Sequence, residues 1–218
     1  MVFIANYGTF QSPTMVTVFS NCEQVRLLQN GTEVATQKPL ANYALPHPPF
    51  TFKVGQISED ETTLYMTGVA RPGTRVGELK AEGLINGKVV ATHAVRAPGV
   101  PAALRLEADL GGKDLVADGN DWIRLHAYVC DSRGTTHPYA NDEVMFAVEG
   151  EGTIINDARI KANPVRAEAG IATVLVRGTT HAGAITVRAS GFGLKPAEVK
   201  VESKAMVGSV AQGKDVAP

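Results

Sequence analysis

The chain has 218 residues, 44% of them hydrophobic and 20% charged, with a formal net charge of −1. That is enough apolar material for one large domain or two of ordinary size. The near-zero charge gives no electrostatic footing for nucleic acid or an anionic membrane surface, and no apolar run reaches the ~20 residues needed to span a bilayer as a helix.

In chain order, Met1 to Asn6 lacks the basic and long apolar regions of a secretory signal. It reads as the interior of a strand, so Met1 is expected to be an expression start inside a longer chain. A strand is predicted over Val16 to Ser20 and a hairpin over 24–36. Asn30-Gly31 closes that hairpin, because both residue types tolerate the positive φ of a type I′ turn. The turn sets Leu27 opposite Val34, Val25 opposite Thr36, Leu28 opposite Glu33 and Arg26 opposite Ala35. Asn30-Gly31-Thr32 also fits a glycosylation sequon, but the turn accounts for it. Cys22 lies in a turn before the hairpin, and no histidine is near it in sequence. A nucleophilic cysteine needs a base and a device that lowers its pKa, so Cys22 is read as structural.

Residues 39–50 hold four prolines and form an irregular connection. Strands are predicted over Phe50 to Val54 and Thr63 to Ala70, with the acidic turn Ser58–Thr62 between them. Residues 79–83 and 88–95 pair around Asn86-Gly87. Ala97-Pro98-Gly99-Val100-Pro101 interrupts the series as a domain linker. Further strands follow over 104–108, 122–130, 144–148, 171–176, 185–189 and 199–201. Gly150-Glu151-Gly152 is a turn, and a polar tail is expected from Lys204. With short alternating strands and no long run of helical period, the chain is predicted to be all-β: two immunoglobulin-like β-sandwich domains in tandem, 1–97 and 98–203, followed by a flexible tail, 204–218. Cys22 and Cys130 then fall in different domains, which excludes an intradomain disulfide, and no compartment follows.

"VTVFSNCEQVRLLQNGTEV" at 16–34 resembles the signature of a C-terminal β-sandwich in glycoside hydrolase family 2 enzymes of the β-galactosidase type. "HPPFTF" at 47–52 and "LINGKVVATHAVRAPGVPAALRLEAD" at 84–109 resemble the end of that domain running into the next. "LVADGNDWIRLHAYVCDSRGTTHPYANDEVMFAVEGEGTI" at 115–154 and "ANPVRAEAGIATVLVRGTTHAGAITVRASGFG" at 162–193 resemble the family's last immunoglobulin-like domain. The resemblance implies a non-catalytic accessory segment that supports the catalytic region of a parent enzyme, its expected partner. The family's two catalytic glutamates sit on a barrel of ~250 residues, and no residue here maps onto them. The segment is therefore expected to be inactive by itself. The alternatives are a pair of carbohydrate-binding modules and a tandem immunoglobulin-like adhesion segment.

Carboxylate pairs occur at Asp60/Glu61 and Glu149/Glu151, but a glycosidase pair must face one cleft at ~5–9 Å. The histidines, His47, His93, His126, His137 and His181, lack zinc-ligand spacing. Asp118, Asp121 and Asp131 could offer oxygens to calcium but show no regular ligand alternation. The sequence predicts neither metal nor cofactor. The one candidate binding row is Trp122, Arg124, His126 and Tyr128, which share the outward face of a strand. Aromatic rings flanked by donors suit a carbohydrate ligand. A lone tryptophan in a sandwich is more often packed than displayed, so this face is expected to pack on a neighbouring strand, loop or domain.

Overall fold

The computed structural model describes residues 1–8, 12–41, 44–55, 77–155 and 163–206. The expected strand over 63–70, the acidic turn 58–62 and the Asp60/Glu61 pair lie outside the described residues. Every regular element among the described residues is a strand. The chain divides into two compact units: Met1–Val100 with the loop Asp131–Thr135, and Pro101–Cys130 with Thr136–Pro218.

The first unit is a sandwich of two sheets. One has the order β1-β2-β5, from β1 (Val2–Ala5), β2 (Met15–Ser20) and β5 (Phe50–Lys53). The other has the order β4-β3-β6-β7, from β3 (Gln24–Gln29), β4 (Thr32–Gln37), β6 (Glu78–Ile85) and β7 (Lys88–Arg96). Period-two alternation sends Val2, Ile4, Val16, Val18, Phe50 and Phe52 inward from the first sheet, against Val25, Leu27, Leu79 and Ala81 from the second. Asn30 and Gly31 both take positive φ, 53° and 81°, and Asn86 and Gly87 take 50° and 72°. The Asn30 side chain is held structurally, its Oδ1 accepting from the Glu78 amide at 2.8 Å.

The hairpin register departs from the expected one. Leu28 faces Glu33 as predicted, but Leu27 faces Ala35, Arg26 faces Thr36 and Val25 faces Gln37. An irregularity between Leu27 and Leu28 leaves Val34 as the extra residue, as in a β-bulge. The consequence is apolar: Val34 and Ala35 both pack on the core, where an unbroken alternation would turn one of them outward.

Cys22 is buried in this core. It lies against Gly83 of β6, where an added Cβ would stand 2.6 Å from the Cys22 sulfur and 2.5 Å from Val2 Cγ2. The thiol fills a space that exists because position 83 has no side chain.

The second unit forms one continuous hydrogen-bonded path, β12-β14-β10-β8-β16-β15-β11-β13, with β9 added to β16. Its strands are β8 (Ala103–Asp109), β9 (Leu115–Ala117), β10 (Trp122–Cys130), β11 (Glu143–Gly150), β12 (Gly152–Ile154), β13 (Val165–Arg166), β14 (Ile171–Gly178), β15 (Ala184–Gly191) and β16 (Leu194–Ala205). The path folds into two layers linked where β16 meets β8 in parallel at Lys195 and Ala103. The layers correspond to the two sheets of an immunoglobulin-like sandwich. Leu104, Leu106, Ile123, Leu125, Val174 and Val176 of one layer close on Val144, Phe146, Ile185 and Val187 of the other.

β9, β12 and β13 were not legible in the sequence, because two or three residues carry no readable alternation. The last strand is also longer than expected. It continues through Lys204 to Ala205, where Ser203 to Ala205 pair with β9, so the tail does not begin at Lys204.

Candidate functional site

β10 runs through the centre of its layer, paired with β14 on one side and β8 on the other. Its inward residues Ile123, Leu125, Ala127 and Val129 are buried, which obliges Trp122, Arg124, His126 and Tyr128 to face outward together. Within the chain Trp122 is 47% exposed. Arg124 is exposed, and His126 and Tyr128 are half-buried.

Neighbouring strands complete the row. Arg124 Nη2 lies 2.6 Å from Asp109 Oδ2 on β8. His126 Nδ1 and the Thr173 hydroxyl on β14 are 2.9 Å apart. The Arg105 guanidinium sits over the Tyr128 ring, 4.1 Å from its centroid, and also pairs with Glu107. That cation–π contact occupies one face of the tyrosine. The Gly111 amide, with the charges of Arg124 and His126, outweighs desolvation and holds the Asp109 carboxyl below its ordinary pKa. Opposite Trp122 on β14 stands Arg177, which is exposed. Asp109, Arg105, Thr173 and Arg177 could not be found from the sequence, since alternation gives the face of a strand but not its neighbours.

The other candidates are engaged elsewhere. Glu149 pairs with Arg188 at 3.5 Å, and Glu151 accepts from the Thr179 hydroxyl at 2.5 Å. Asp118 Oδ1 accepts from the amides of Asn120 and Asp121, and Asp121 Oδ2 accepts from the Val116 amide. Asp131 is almost fully buried and accepts from the amides of Gly99, Arg133 and Thr135 at 2.9 Å each. Burial pushes its pKa up, but these donors and the Arg133 guanidinium outweigh burial and bring it below the ordinary carboxylate value. His93 Nδ1 accepts from the Ile4 amide at 3.1 Å and so ties β1 to β7. Cys22 and Cys130 are buried free thiols.

Residues 104–200 match the model of glycoside hydrolase family 2 C-terminal domain 5. A β-galactosidase of Thermoanaerobacter pseudethanolicus is 34% identical over 94% of this chain and 26% of its own length. A β-glucuronidase of Formosa agariphila is 28% identical over 91% of this chain and 19% of its own. The solved structure of a glycosyl hydrolase family 2 member from Bacteroides cellulosilyticus superposes with a TM-score of 0.63 at 26% identity, covering 87% of this chain and 23% of that one. The chain thus spans about a quarter or less of the length of these relatives. Residues 104–200 are thus similar to C-terminal domain 5 of glycoside hydrolase family 2, and most of the chain is similar to part of a solved member of that family.

Proposed function

We propose that the chain is the non-catalytic C-terminal part of a glycoside hydrolase family 2 enzyme of the β-galactosidase kind, and that its sandwiches support the catalytic region of that enzyme. The observation that carries this is the alignment of nearly the whole chain with about a quarter of a β-galactosidase. The chemistry agrees. Retaining and inverting glycosidases need two carboxyl groups facing one cleft, whereas Glu149 and Glu151 are committed to Arg188 and Thr179. The division into accessory domains near 97–101 belongs to the same reading.

The test is hydrolysis of aryl β-galactosides and aryl β-glucuronides by the purified chain. No turnover above the blank is expected. Turnover that co-purifies with the chain and is lost on substitution of one of its carboxylates would overturn the accessory role.

A further inference from the structure

We infer that the outward end of β10 and β14 is a binding platform for an acidic saccharide, a short oligosaccharide bearing a uronate carboxylate. This goes beyond the supporting role proposed above and does not depend on it. Three side chains form one row across three strands: Trp122 on β10, Arg177 directly opposite on β14, and Thr153 opposite Arg177 on β12. With strands ~4.8 Å apart, the row is about 10 Å wide, and the next same-face row, with Arg124 and Leu175, lies about 7 Å further along. That area suits one or two sugar rings.

Each member has free chemistry to offer. The indole is 47% exposed, and its N–H meets no acceptor among the described residues. An exposed indole stacks on the apolar C–H face of a pyranose while its N–H reads a hydroxyl. Thr153 is exposed and brings a hydroxyl that both donates and accepts. Leu175 is half-buried and supplies an apolar floor beside the ring.

Charge decides the ligand class. On this face Arg124 is matched by Asp109, and Arg105 by Glu107. Arg177 has no ion-pair partner among the described residues. Among the described residues the uncompensated positive charge therefore lies beside the exposed tryptophan and not at the Tyr128 end, where Arg105 already covers the ring. A guanidinium presents a planar fork that fits a carboxylate bidentately. A ring to stack and a carboxylate to pair are together the chemistry of a uronic acid residue. A neutral sugar would leave the Arg177 charge unused, and an apolar protein surface would bury it unpaired.

The intact chain is titrated with short oligosaccharides ending in glucuronate or galacturonate, and with neutral galacto-oligosaccharides of equal length. Trp122 fluorescence is the readout, since it is the only tryptophan. A saturable change is expected with the uronates, weakening with added salt, and about ten-fold weaker affinity in Arg177→Gln. Calorimetry on Trp122→Ala should show the uronate heat lost. Thermal melts control for folding, and both substitutions fall on an exposed face. The inference is overturned if no uronate gives a saturable change at millimolar concentration. It is equally overturned if neutral and acidic sugars bind alike and Arg177→Gln alters neither.

Discussion

Gly83→Ala would place a methyl group in the tightest contact of the first unit. The new Cβ would lie 2.5 Å from Val2 Cγ2, 2.6 Å from Cys22 Sγ and 3.3 Å from Cys22 Cβ. Carbon atoms in good contact stand ~3.5–4.0 Å apart, so the methyl group overlaps two neighbours by about 1 Å. Neither can swing aside easily. Both are buried, and Val2 is β-branched and stiff at χ1. The backbone is equally constrained, because Gly83 is paired with Val25 on one side and Ala91 on the other. Overpacking of this kind costs about 1–3 kcal/mol, while replacing glycine in a strand returns roughly 0.5–1 kcal/mol of backbone entropy. A net loss of ~1–2 kcal/mol is expected, which moves a urea midpoint down by about 1 M at a slope of 1–2 kcal/mol/M.

The loss should be confined to the first unit, and the two buried thiols allow this to be measured. Labelling against urea, resolved by peptide mass, should show the Cys22 midpoint falling while that of Cys130 holds. Val2→Ala removes one of the two clashes, so Gly83→Ala should cost less in that background, a coupling expected of residues in contact. An unchanged Cys22 midpoint, or an equal fall at Cys130, would refute the reasoning.

Gly31→Val should destabilise the first unit by about 1–2 kcal/mol through backbone strain alone, because φ is 81° and nothing lies within 4 Å of the added Cβ; chemical denaturation that matches wild type would remove the turn assignment. Asp131→Ala should cost about 2 kcal/mol or more, since three amides lose a charged acceptor. The folded pKa of Asp131 is lowered, so its stabilisation is fully present above the unfolded value of ~3.9 and is lost as pH falls through the folded value. Asp131→Asn should flatten the stability profile over that acid window, and a profile unchanged from wild type would show that the carboxylate contributes no proton linkage.

Much of the architecture was written locally. The alternation over 122–130 fixed the two faces of β10, because a pleated strand turns successive side chains to opposite sides. Asn30-Gly31 and Asn86-Gly87 fixed two hairpins, because positive φ is cheap for those residues. Those features depend on neighbours in sequence and need no knowledge of the rest of the chain. The register of the first hairpin did not follow from its turn. The shift at Leu27 reflects Val34 and Ala35 both finding the core, and that core is assembled from β1, β2, β5 and β6. The short strands β9, β12 and β13 exist only because longer strands offer them an edge. The grouping of Asp131–Thr135 with the first unit is likewise nonlocal, tied as it is to Gly99. For the candidate site the division is the same. The sequence determined that Trp122, Arg124, His126 and Tyr128 share a face. Only the tertiary structure set Arg177 and Thr153 beside Trp122, and Asp109 beside Arg124, because pairing between distant strands is decided by how two layers close on one core, and spacing along a single strand carries no record of it.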